Sequence, residues 1–69
     1  MLLAEAFALF RQLGVNVEKM SQRDFGISYF ALAKRYHPDR NPHGHGADLM
    51  AHINAARAAI LNSYRSSAP

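Results

Sequence analysis

The chain has no cysteine, which excludes a disulfide framework and any thiolate zinc site, so packing alone has to hold the fold. It has no apolar run near the ~20 residues that a membrane-spanning helix needs, and no membrane partner is expected. Apolar and polar residues do not alternate over any long stretch, so no strand is predicted, and neither a repeat nor a low-complexity tract is present. Proline is scarce at three residues, and two of the three stand at positions 38 and 42, which makes that region the one strong break in the chain. Acidic residues are few as well. Five Asp and Glu against eight Lys and Arg leave a net charge of +3 and a pI near 9.8, an excess that suits an acidic partner surface.

What is there is enough for one small soluble domain, spanning 1–69. Hydrophobic residues make up 49% of the chain and charged residues 19%, a balance that folds without being a membrane segment. A core of this size leaves a net stability of roughly 3–5 kcal/mol and no room for a substrate cavity with its own supporting shell. A binding or regulatory module is therefore expected rather than an enzyme, with a monomer as the expected state. The opening MLLAEAFALF has no basic n-region, and Glu5 interrupts its apolar run, so it is predicted as a helix rather than a signal peptide, and the cytoplasm is the expected location.

Three helical segments follow from the apolar spacing. The first runs from about Leu2 to Leu13, with Leu2, Ala6, Leu9, Phe10 and Leu13 on one face and Gly14 as the left-handed residue that ends it. The second opens at SQRD, where Ser21 can cap the amide of Asp24 and Asp24 sits near the positive end of the helix dipole. Phe25, Tyr29, Leu32 and Tyr36 form its inner face, whereas Arg23, Ile27, Phe30 and Lys34 fall on the arc assigned to solvent. Gly26 sits inside this helix at a cost of about 1 kcal/mol relative to Ala. The third segment runs from about Asp48 to Asn62 or Tyr64, with Leu49, Met50, Ile53, Ala56, Ile60 and Tyr64 as its stripe. Pro38 disfavours helical geometry at His37, so the second helix has to stop near Tyr36. The fold class is all-α: two antiparallel helices joined by a loop of about ten residues, with a shorter N-terminal helix laid across them and a fourth helix absent or frayed.

The loop itself reads HPDRNPHGHG from position 37. On spacing alone, Asp39 can close an Asx-type turn and His37 can interact with the helix C-terminal dipole. His37, Asp39, His43 and His45 crowd into nine residues, but HGHG offers none of the rigidity and supporting partners that an ordered site needs, so neither metal nor cofactor is expected. A His37–Asp39 dyad has no Ser or Cys nucleophile nearby in sequence. Nucleic-acid reading would need a richer helix than Asn54 and Arg57 among alanines, so no nucleic-acid partner is expected.

His37-Pro38-Asp39 is identical to the tripeptide of the J-domain, the module of the DnaJ-like co-chaperones. Residues 10–15, FRQLGV, resemble the end of that family's first helix; residues 29–36, YFALAKRY, its second; and residues 53–56, INAA, the core of its third. The resemblance implies a partner, a DnaK-type chaperone in its ATP state, whose ATP hydrolysis speeds up when the second helix and the loop dock near its interdomain linker. It implies roles as well. Asp39 would accept a charge-assisted hydrogen bond from an arginine of the chaperone, Pro38 would fix the direction of the loop, and His37 would orient the turn and touch the partner. Arg23, Ile27, Tyr29, Phe30, Lys34, Arg35, Arg40 and Asn41 would complete the contact surface.

The chain also departs from the family pattern. The basic cluster common on the second helix maps here to Gly26, Phe30 and Ala31, so the positive charge is rearranged around an apolar centre. The docking implied is more apolar and less salt-sensitive than is usual. The alternative implied is a degenerate J-like interaction adaptor that does not stimulate ATP hydrolysis. Arg57 stands where the family often has an aromatic, and its stem is expected along apolar surface with the guanidinium in water.

Overall fold

The computed structural model describes residues 1–37 and 46–66, with side chains in the second stretch from Asp48 onward. Among these residues there are three α-helices, α1 (Leu3–Gln12), α2 (Gln22–Tyr36) and α3 (Gly46–Ser66), together with a 3₁₀ turn at Val17–Lys19 and no strand. The described residues form an all-helical bundle.

Local chemistry explains each boundary. Helix α1 ends at Gly14, whose φ of 88° lies in the left-handed region that glycine enters without a Cβ penalty. Its N–H donates to the Arg11 carbonyl at 3.0 Å and the Val15 N–H to the Phe10 carbonyl at 2.9 Å, the paired bonds of a Schellman end. Val15 is thereby turned back toward Phe10 and packs against the core. Helix α2 begins where the Ser21 hydroxyl accepts from the Asp24 N–H at 3.1 Å. Its last hydrogen bond runs from the His37 N–H to the Ala33 carbonyl, after which His37 is extended at ψ 138°, the geometry Pro38 requires of the residue before it.

Among the described residues nine are buried and make the core: Ala6 and Phe10 from α1, Val17 from the 3₁₀ turn, Phe25 and Leu32 from α2, and Met50, Ile53, Ala56 and Ile60 from α3. Phe25 is at its centre. Its ring meets Phe10 edge-on at 5.1 Å and Tyr64 at 6.3 Å, so one side chain joins all three helices. Phe25 meets Tyr64 while Tyr29, one turn further along α2, meets Asn54, so α2 and α3 run antiparallel. Helix α1 packs chiefly on α3. An exposed ion pair, Arg11 to Glu18 at 3.0 Å, clips the end of α1 to the 3₁₀ turn and is worth at most ~1 kcal/mol in water.

Three expectations need correction. Leu2 does not share the buried stripe of α1; it is 69% exposed because it precedes the helix in extended geometry, which takes its side chain off the helical wheel. The 3₁₀ turn was not expected: three residues are too few for any periodicity to register. Helix α3 is longer than Asp48 to Tyr64 at both ends, since neither Gly46 and Ala47 nor Arg65 and Ser66 add a position to the apolar stripe that marks it in the sequence.

Candidate partner-binding surface

Helix α2 has two faces with different tasks. Phe25 and Leu32 are buried, with Tyr29, Ala33 and Tyr36 half-buried beside them, and this face fixes the helix to the bundle. The opposite face carries Arg23, Ile27, Phe30 and Lys34 in solvent, where the wheel puts them. Ile27 is 61% exposed and Phe30 64%, so no described loop or helix covers either one. Two large apolar side chains thus stand one turn apart in solvent, on the face of α2 that does not pack against the bundle.

The charges on this helix sit at the ends and edges of that apolar pair. Lys34 Nζ lies 5.8 Å from the centroid of the Phe30 ring, and the Arg35 guanidinium lies 5.3 Å from that of Tyr36. Arg23 stands in the first turn and Lys34 and Arg35 in the last, with Asp24 the one acidic residue of the helix. The surface is therefore an apolar ridge with basic ends. Among the described residues no polar or charged side chain is buried, so the charges of this surface all stand in solvent.

Tyr29 has a different place from the other residues of the predicted surface. Its hydroxyl donates to Asn54 Oδ1 at 2.7 Å, and the Arg57 guanidinium lies 4.7 Å from its ring centroid, so Tyr29 is clasped to α3. Arg57 is exposed, as expected, and the structure adds that its guanidinium lies over an aromatic face. Asn54 was missed as a structural partner. Its residue type alone carries no signal for a contact 25 positions away.

His37 ends α2 exposed and extended, at the head of the HPD tripeptide. Pro38, Asp39, Arg40 and Asn41 lie outside the described residues, as do His43 and His45. Among the described residues no group of three or more His, Asp or Glu side chains could hold a metal ion, and no helix is long and apolar enough to cross a membrane. Comparison of the chain with protein-family models, curated proteins and solved structures finds no match.

Proposed function

We propose that this chain is a J-domain-like co-chaperone module that binds a DnaK-type chaperone through α2 and the His37-Pro38-Asp39 loop and stimulates its ATP hydrolysis. The observation that carries this reading is the arrangement at the end of α2. The helix stops at Tyr36, His37 leaves it extended directly ahead of Pro38 and Asp39, and the face of α2 away from the core is exposed and basic at both ends. The antiparallel pairing of α2 with α3, and the end of α1 at LGV, agree with the same reading.

The module performs no covalent chemistry. It acts by binding one conformational state of the partner better than another, which shifts that partner's population and hence its hydrolysis rate. In this mechanism Asp39 supplies the carboxylate for an arginine, Pro38 the direction of the loop, and α2 the docking face, with Arg40 and Asn41 continuing the contact beyond the tripeptide.

Binding is tested by titrating the chain into a DnaK-type chaperone held in its ATP or its ADP state. Tighter binding to the ATP state that Asp39→Asn weakens by at least about tenfold is expected, since a charge-assisted hydrogen bond is worth ~1.5–3 kcal/mol. Equal affinity for both states would contradict the reading. A second reading, an adaptor that binds without stimulating, is favoured by one observation: Gly26, Phe30 and Ala31 hold no charge where the family carries its basic cluster. It predicts binding that leaves the hydrolysis rate unchanged.

A further inference from the structure

Gly26 lies in the interior of α2, where glycine destabilises a helix relative to alanine. Nothing in the fold calls for it. Its φ is not positive, and a Cβ built on it meets no atom within 4 Å. The missing side chain instead faces outward, into a shallow open groove lined by Arg23, Gly26, Ile27, Phe30, Ala31 and Lys34.

These six residues form two adjacent rows at i, i+4 spacing: Gly26, Phe30 and Lys34 in one, Arg23, Ile27 and Ala31 in the other. Along the pair of rows a small residue stands beside a large one, Gly26 beside Ile27 and Ala31 beside Phe30. The pattern is one of knobs next to holes, the relief into which a partner's side chain interdigitates. Arg23 and Lys34 close its two ends, and neither makes an ion pair among the described residues. Eleven residues of helix separate them by about 16 Å at 1.5 Å per residue.

We infer that this groove is the seat of one apolar side chain from an acidic protein segment, whose carboxylates lie on either side of that residue and reach Arg23 and Lys34. The charge pattern selects the occupant. A second copy of the chain would set Arg23 and Lys34 against their own kind in a molecule of net charge +3. A nucleic acid would leave Ile27 and Phe30 exposed while satisfying the ends. The inference deepens the partner-binding reading of α2, but it does not require the partner to be a chaperone.

The test titrates the ¹⁵N-labelled chain with a synthetic amphipathic helical peptide of about three turns, carrying Leu at its centre and Glu at both ends. The same peptide with Lys for Glu, the same peptide with Ser for Leu, and a duplex DNA oligonucleotide serve as controls. Amide shifts confined to Arg23–Lys34 are expected with the Leu and Glu peptide alone. Gly26→Leu fills the hole and should weaken binding at least about tenfold, as loss of a central contact does, while Gly26→Ala should leave it within about threefold. Both variants should melt at or above the temperature of the native chain, since each improves helix propensity at an open position. Equal shifts with the Lys peptide or with DNA, no shifts with any probe, or unchanged binding by Gly26→Leu would overturn the inference. Chaperone stimulation measured on the same variants separates the two proposals. Loss of stimulation in Gly26→Leu supports both. Stimulation that Gly26→Leu retains while its peptide binding is lost supports the groove as a site separate from the chaperone's and leaves the co-chaperone reading standing. Peptide binding without stimulation by the native chain keeps the groove and removes the stimulating role.

Discussion

A few side chains decide whether this molecule folds at all. Phe25 is 1% exposed and touches Phe10 and Tyr64, so truncating it opens a cavity at the one point where all three helices meet. Large-to-small changes of this kind cost ~3–5 kcal/mol, as much as the whole net stability expected of a domain this size. Phe25→Ala should therefore be unfolded at room temperature by circular dichroism; a cooperative melt near that of the native chain would contradict the packing described. Tyr29 offers a smaller and more specific test. Because its hydroxyl bond to Asn54 is exposed, a double-mutant cycle of Tyr29→Phe with Asn54→Ala should give a coupling of about 0.5–1.5 kcal/mol in urea denaturation. A coupling of zero would mean that Tyr29 is not clasped to α3 in solution.

The helices themselves are set by a handful of end signals. Ser21→Ala removes the acceptor for the Asp24 N–H and should destabilise the chain by about 1 kcal/mol, and Gly14→Ala forces a Cβ into positive φ at a comparable cost of ~1–2 kcal/mol; chemical denaturation measures both. These are also the elements that were legible from residue types. Ser21, Gly14 and Pro38 act on the backbone within three or four positions, so their effects are written next to them in the chain. Contacts between helices are not written that way. Helical period places Tyr29 and Arg57 on faces, but which residue of α3 lies opposite Tyr29 depends on the axial offset of two helices, which no periodicity specifies. Gly26 was legible only as an unexplained cost, because its meaning is an open space beside Ile27 and Phe30 that exists only once the helix is built. Of the candidate site, the outer face of α2 and the break at His37 follow from the sequence and the fold together. Pro38 to Asn41 rest on the sequence alone, since they lie outside the described residues.

At the scale of the whole molecule, a net charge of +3 and an apolar ridge act on a partner in different ways. Exposed charges more than about 8 Å apart are largely screened at physiological ionic strength, whereas the gain from covering the exposed Ile27 and Phe30 would not be. Phe30→Ala should thus weaken stimulation of the chaperone by about tenfold or more while added salt has a shallow effect on the native chain. Steep salt dependence with no loss in Phe30→Ala would reverse the assignment and make the contact electrostatic. The most direct test of the central claim is single-turnover ATP hydrolysis by a DnaK-type chaperone, with and without the native chain and beside its His37→Gln and Asp39→Asn variants. The account predicts acceleration by the native chain that both variants abolish. No acceleration across several such chaperones, or acceleration that survives both substitutions, would contradict it.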